Sequence, residues 1–466
     1  MRPAAALALL WAAGCGAPPA APTVLLVSWD TTRADALGAY AAEAHWGLEL
    51  DPSLRPQPRT PHADRLAARG VRFAWALAHA PTTLNSHTSV FSGLDPHQHG
   101  VPRNGFPVEQ RVPLLTERFA AAGWATVATV GASVLSADQG LARGFQAYDD
   151  QITTRVRKRF ERPADQVVDR LLQQIDAVPA AQPVFAFAHF FDAHSPYDGA
   201  PPDLRALIGV EGYAGPVTGT SENADWLVVS ARAGTLSVDD RRQARALYLA
   251  EVAAMDRALG RLLAGLERRG RAKDSLVVLF GDHGETLDEI PARAYGHGLD
   301  VHLVNLHVPL IVAGQGSLAC GPAGAVVHDT VGLSELAPAV AGCAGLAPVG
   351  AGRDLRAAWG AGLPPAVHFA EATKGGKAPP PGRWNNLRTA RSATDGAHHW
   401  MAWPAEPRTA LHLRAPGQPP VAEEEPSRAL ERALSAWDEA APPYREEDLS
   451  PDQAEALKAL GYLDGR

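Results

Sequence analysis

Three cysteines serve a chain of 466 residues, at positions 15, 320 and 343. None lies in APTTLNSHTSVFSG at 80–93, a proline-led stretch crowded with hydroxyl groups, so chemistry done there does not use a thiol. Basic blocks are scarce too. RVRKRF at 155–160 is the densest and reads as a solvated face before a helix. With a formal net charge of −8, the chain lacks the electrostatic footprint of a nucleic-acid binder. Internal repeats are absent, and so are membrane-spanning runs: the opening MRPAAALALLWAAGCG is too short to cross a bilayer as a stable helix. Apolar residues at 46% and charged residues at 20% exclude a disordered chain. The length allows a large core, in two domains or in one with a substantial extension.

What is present begins with export. One basic residue, a short apolar run and small residues ending at Cys15 form an export signal. AAGC resembles the lipobox of bacterial lipoproteins, with Cys15 as the lipidated residue, although Ala12 stands where leucine is more common. The expectation is an exported bacterial lipoprotein on the periplasmic side of the envelope, at the outer membrane. Residues 1–15 would be its signal peptide and 16–22, GAPPAAP, its tether. In an oxidising compartment Cys320 and Cys343 either bridge or stay as two buried thiols; the sequence leaves both open.

The body of the chain alternates helices with apolar strands. TVLLVSWD at 23–30 suits a strand buried on both faces. TPHADRLAARG reads as a helix with Thr60 as cap, Pro61 in the first turn and Gly70 at the end. A helix follows Pro163 to about Val178, then the strand VFAFAHFF at 184–191. The longest helix spans about Val238 to Arg269, with Leu247, Val252, Met255, Leu259 and Leu262 as its apolar stripe, before the strand SLVVLFGD. This alternation predicts an α/β fold, a central mostly parallel sheet between helices, over 23–355. Residues 356–466 read as a smaller C-terminal α+β subdomain in which APGQPPVAEEEP is an exposed loop.

In such sheets ligands gather beyond the carboxyl ends of strands. Asp30, His194, Asp282 and His283 each follow one there. Asp30, Asp282 and His283 supply two carboxylates and an imidazole, a donor set for one divalent ion. The imidazole favours zinc or manganese, with calcium still possible.

Four segments occur in order: VLLVSWDTTRADALGAY, LAARGVRFAWALAHAPTTLNSHTSVFSGLDPHQHGV, FAHFFDAHSPYDGAPP and YLAEVAAMDRALGRLLAGLERRGRAKDSLVVLFGDHGETL. Together they resemble the sulfatase branch of the alkaline phosphatase superfamily, especially its bacterial sulfatase-like lipoproteins. The resemblance covers residues 23–355, and LKALGYLDG resembles the family's closing helix. It implies an alkaline-phosphatase-like sandwich. In sulfatases the nucleophile is a cysteine matured to formylglycine and followed by x-Pro-x-Arg. Those positions fall here on Thr83, Asn85 and His87, so formylglycine cannot form. Threonine is the nucleophile in relatives that attack phosphorus, which implies Thr83 as both nucleophile and metal ligand with Asp30, Asp282 and His283. Taken alone, Thr83 could equally be a helix cap.

The same resemblance implies His194 and His297 near the transferred group or leaving oxygen, and His87, Asn104 and Ser133 as substrate-binding. Thr31 stands where the family has a second carboxylate, and VGASVLSADQGL replaces a segment that carries an anion-binding lysine and histidine. His97, His99, His302 and His307 read as loop or surface residues. The expected function is metal-dependent hydrolysis of phosphate, phosphonate or sulfate esters of a small molecule, glycan or lipid, with phosphoryl transfer favoured on chemical grounds. An envelope phospho-group transferase and a catalytically silent lipid-anchored binding protein are the alternatives.

Overall fold

TVLLVSW at 23–29 offers water no polar face, and the fold covers both of its sides. In a computed structural model of the protein this run is β1 (Thr23–Trp29), inside a nine-stranded sheet. Val24 and Leu26 enter one apolar cluster while Leu25, Val27 and Trp29 enter another, so alternate residues serve opposite layers. The structure describes residues 21–41, 56–152, 155–156, 159–360, 362–373, 388–402, 409–412, 421–423 and 427–441.

Next along the chain come β2 (Val71–Leu77), β3 (Ala125–Thr129), β4 (Ala147–Asp149), β5 (Arg155–Val156) and β6 (Arg159–Phe160). They are followed by β7 (Val184–Phe190), β8 (Ser275–Gly281), β9 (His307–Val308), β10 (Leu310–Gln315) and β11 (Ala325–Gly332). The order across the sheet is β11-β2-β10-β8-β1-β7-β3-β4, with β9 pairing to β2. β1 runs parallel to β7 and β8, β3 to β7 and β4, and β2 to β11, while β9 and β10 run antiparallel to their neighbours. Within RVRKRF, Arg155–Val156 and Arg159–Phe160 form the antiparallel pair β5–β6, and the helix that follows starts at Ala164.

Helices cover both faces. Pro61–Arg69, Ala164–Asp176 and Val238–Arg268 bury their apolar sides on one layer; Thr83–Ser92, Leu115–Ala121 and Leu336–Cys343 do so on the other. In the longest helix Leu247, Val252, Met255, Leu259 and Leu262 are all buried, as their spacing predicts. Cys320 and Cys343 form a disulfide, which resolves the open alternative.

A second sheet is antiparallel and ordered as in the sequence: β12 (His368–Thr373), β13 (Arg388–Thr394), β14 (His398–Ala402), β15 (Thr409–His412) and β16 (Val421–Glu423). Ala393, Trp400 and Ala402 pack on Leu430, Leu434 and Trp437 of the helix Arg428–Glu439. Ala370, Ala372, Ala390 and Met401 join the core of the large sheet. APGQPPVAEEEP is not entirely loop, since Val421–Glu423 within it pairs with β15. Cys15 and LKALGYLDG lie outside the described residues. Among the described residues no helix is long and apolar enough to cross a membrane.

Candidate active site

Parallel neighbours end at one edge of a sheet and deliver there whatever follows them. β1 and β8 pair in register from Thr23 with Ser275 to Trp29 with Gly281, which sets Asp30 beside Asp282. Two glycines permit the approach. A Cβ on Gly281 would stand 2.4 Å from the Thr32 carbonyl oxygen, and one on Gly284 2.0 Å from that of Val304.

Asp30, Asp282 and His283 are buried and present ligand atoms that all lie within 4.8 Å of one another. Asp30 Oδ1, Asp282 Oδ2 and His283 Nε2 have no hydrogen-bond partner. The other polar atoms of these side chains are engaged. Asp282 Oδ1 accepts from the backbone N–H of Thr31 (3.1 Å) and of His283 (2.7 Å). His283 Nδ1 donates to Gly284 O at 3.0 Å, which leaves the lone pair on Nε2, the form that binds a metal. Buried polar atoms without partners are costly, and three turned toward one another suit a cation.

The electrostatics agree. Burial, with His297 adding to it, pushes the His283 pKa down to about 3 and keeps the ring neutral. Burial opposes the charge of Asp30, but the hydrogen bond from His189 and the nearness of His283 hold its carboxyl well below the usual range. Asp282 moves the other way, pushed up by burial and then by the charge of Asp30. Two buried carboxylates facing each other split in this manner, and a cation between them relieves the repulsion. The residues therefore fit one divalent ion.

Thr83 opens the helix Thr83–Ser92, and its hydroxyl donates to Asp30 Oδ2 at 3.1 Å. It is not acting as the cap. Asn104 has that work, its Oδ1 accepting from Leu84 N at 2.8 Å, while its Nδ2 is buried without a partner. Ser133 Oγ and Thr82 Oγ1 likewise lack partners. Thr31, where the family's second carboxylate would stand, contributes backbone instead: at φ 51° its N–H holds Asp282, and Tyr248 donates to its carbonyl at 2.8 Å. A β-branched residue avoids that φ unless surrounding bonds enforce it.

His194 follows β7 with its ring stacked on Phe191 (4.5 Å between centroids) and its Nδ1 donating to Ser195 O at 2.9 Å. The His297 ring lies 5.0 Å from that of His194 and 4.6 Å from that of His283. Asp30, Thr83, His194, Asp282, His283 and His297 are thus brought together. His87, expected at the substrate, sits behind Thr83, fully buried, with Nδ1 donating to Thr83 O (2.7 Å) and Nε2 accepting from Ser28 Oγ (2.8 Å). Both ring nitrogens are committed inside the protein, so it steadies the first turn of the helix and offers substrate nothing. His97, His99 and His307, expected at loops or the surface, are buried. Asp192 accepts from the N–H of Ala164 at 3.0 Å, at the start of the helix Ala164–Asp176.

Two contributors escaped the sequence reading. His189 accepts from Gly131 N (3.4 Å) and donates from Nε2 to Asp30 Oδ2 (3.2 Å). A lone polar ring inside the apolar run VFAFAHFF was the available signal. Glu285, two residues beyond His283, places both carboxylate oxygens 3.3 Å from His297 Nδ1. Its backbone carbonyl accepts from Arg33 (3.2 Å), whose guanidinium is also paired with Asp35 and Glu289.

The chain is similar in sequence and in fold to known proteins. Over 146 residues the chain is 31% identical to human iduronate 2-sulfatase, a stretch that covers 27% of this chain and 26% of that one. The chain therefore matches about a quarter of the length of that curated relative. The fold is similar to that of a phosphonate monoester hydrolase of Agrobacterium radiobacter, at TM-score 0.63, 18% identity and coverage of 95% and 94% of the two chains. A phosphonate monoester hydrolase from Silicibacter pomeroyi gives 0.61, 19%, and 89% and 94%. A 2-O GAG sulfatase gives 0.59, 17%, and 84% and 85%. The sequence model of the Sulfatase family matches residues 22–346, from the start of β1 through the helix Leu336–Cys343. The chain belongs to the sulfatase family, within the alkaline phosphatase superfamily.

Proposed function

We propose that the protein is a metal-dependent ester hydrolase with Thr83 as nucleophile, acting on a phosphate or phosphonate ester in preference to a sulfate ester. The observation that carries this reading is the Thr83 hydroxyl, bonded to Asp30 beside three ligand atoms that lack partners. Asp30, Thr83, Asp282 and His283 would hold the ion, with zinc or manganese ahead of calcium because imidazole is in the set. Such an ion lowers the pKa of an alcohol and draws charge from ester oxygens.

The chain's own groups account for the rest. Thr83 Oγ forms a bond to phosphorus as the bond to the ester oxygen breaks, and its proton passes toward Asp30 Oδ2, the acceptor it already faces. His194 or His297 gives a proton to the departing oxygen. Asn104 Nδ2 and Ser133 Oγ supply donors for the remaining oxygens. Water then cleaves the phosphothreonine and restores Thr83. A sulfated threonine lacks the elimination route of a formylglycine hydrate, which is why phosphorus is favoured. Two neighbours that are phosphonate monoester hydrolases support the same choice, although a GAG sulfatase shares the fold as well. The substrate would be an ester of a small molecule, glycan or lipid.

The test is a panel of 4-nitrophenyl phosphate, phenylphosphonate and sulfate esters offered to chelator-treated and metal-restored enzyme. Turnover should require the metal and favour the phosphorus esters. Turnover of the sulfate ester alone would contradict the reading, and metal binding with no turnover of any ester would favour the silent binding protein. Location belongs to the same proposal: an exported lipoprotein held at the periplasmic side of the outer membrane through Cys15. The Cys320–Cys343 disulfide supports an oxidising compartment. Cys15→Ser should move the protein from the membrane to the soluble fraction, and unchanged partitioning would remove the anchor.

A further inference from the structure

Asn85 stands where the family pattern puts proline, and the structure gives it work that proline cannot do. Its Nδ2 donates to the Pro102 carbonyl at 2.9 Å. Thr373 Oγ1, from the last residue of β12, donates to that same carbonyl at 2.9 Å. A carbonyl oxygen has two lone pairs and takes both donors at once. Proline has no N–H through which its own peptide could be anchored, so its carbonyl is the available handle. Two residues on is Asn104, whose Oδ1 receives Leu84 N at the start of the Thr83 helix and whose Nδ2 is buried and unpartnered. Asn85, Asn104 and Thr373 are 0%, 4% and 3% exposed, so water does not compete for these bonds.

We infer that the Pro102 carbonyl is a clamp point through which the second sheet and Asn85 together hold Asn104 in place at the active site, making Asn85 and Thr373 positioning residues for substrate. This rests on the reading of Asn104 as a donor to the transferred group. Other bonds from β12 reach neighbouring segments, the loop at His79 and the helix Pro96–His99. Glu371 N donates to His79 O at 3.1 Å, and Glu371 Oε2 faces His97 Nε2 at 3.1 Å. Thr373 is the member of that strand whose side chain reaches the turn carrying Asn104. The second sheet thereby becomes part of the substrate site without touching substrate.

Binding of phenylphosphonate to the metal-loaded full chain, measured by calorimetry, tests the clamp. Thr373→Val should weaken binding by about threefold to tenfold, the worth of one net hydrogen bond. Thr373→Ser, which keeps the hydroxyl, should stay within about twofold of wild type. Asn104→Ala should weaken binding at least as much as Thr373→Val does. In the Asn104→Ala background Thr373→Val should then cost nothing more, an outcome that general loosening of the fold does not produce. Wild-type affinity in Thr373→Val, or an equal loss with and without Asn104, would overturn the clamp and leave the phosphoryl site standing. If the wild-type enzyme does not bind phenylphosphonate, the site reading fails and the clamp fails with it.

Discussion

The two sheets of this protein divide the labour according to their topology. In the large sheet β1, β7 and β8 run parallel, so Asp30, His194 and the Asp282–His283 pair all emerge at one edge. Residues far apart in sequence can meet there with no long excursion. The second sheet is an antiparallel meander whose successive strands end at opposite edges, and it gathers no such cluster among the described residues. Its side chains reach across instead: Thr373 to Pro102, Glu371 to His97 and His399 to Val301. One sheet assembles chemistry and the other braces the loops around it. Parallel order is what makes a site of distant residues; antiparallel order makes a buttress.

That contrast can be broken at its stronger end first. Asp282→Asn removes one of the proposed metal ligands at the parallel edge, and activity should fall by at least roughly a hundredfold. The metal-free variant should nonetheless be more stable than the metal-free wild type, by about 1–3 kcal/mol, because one of two repelling buried carboxylates is gone. Denaturant melts of both proteins without metal check the sign. A less stable variant would mean that Asp30 and Asp282 are not in conflict and the cluster was not built for a cation.

The buttress should respond to acid. Burial, partly offset by the bond to Val301 O, pushes the His399 pKa down to about 3. The unfolded chain takes up that proton near the ordinary histidine value while the folded protein refuses it. The stability His399 contributes is therefore present above that value and is lost as pH falls toward the folded pKa, at up to about 1.4 kcal/mol per pH unit. His399→Gln should flatten this part of the pH profile in urea melts. A slope identical to wild type would show that His399 is not held neutral.

Much of the site was legible because its signals are local. Asp30, Asp282 and His283 directly follow apolar strands, and period and composition suffice to find such strand ends. Thr83 needed the family resemblance, since a hydroxyl at a helix start is equally a cap by sequence alone. In the structure the capping bond is made by Asn104 and the Thr83 hydroxyl faces Asp30, so Thr83 does not serve as the cap. His87 was misplaced because sequence position fixes the helix turn but not which way a ring faces. His189 was missed because a strand's alternation does not say which polar residue meets a partner on another strand. The Asn85–Pro102–Thr373 arrangement was out of reach, since a helix, a turn and a strand of the second sheet meet there only through tertiary packing.

The central claim, that Thr83 is the nucleophile, is tested most directly by catching its adduct. Enzyme quenched with acid during turnover of a phosphorus ester, then digested and mapped by mass spectrometry, should carry one phosphoryl group on the peptide containing Thr83. Thr83→Ala should carry none and turn over no substrate, although its fold is intact. An adduct on any other residue, or a Thr83→Ala protein as active as wild type, would contradict the account.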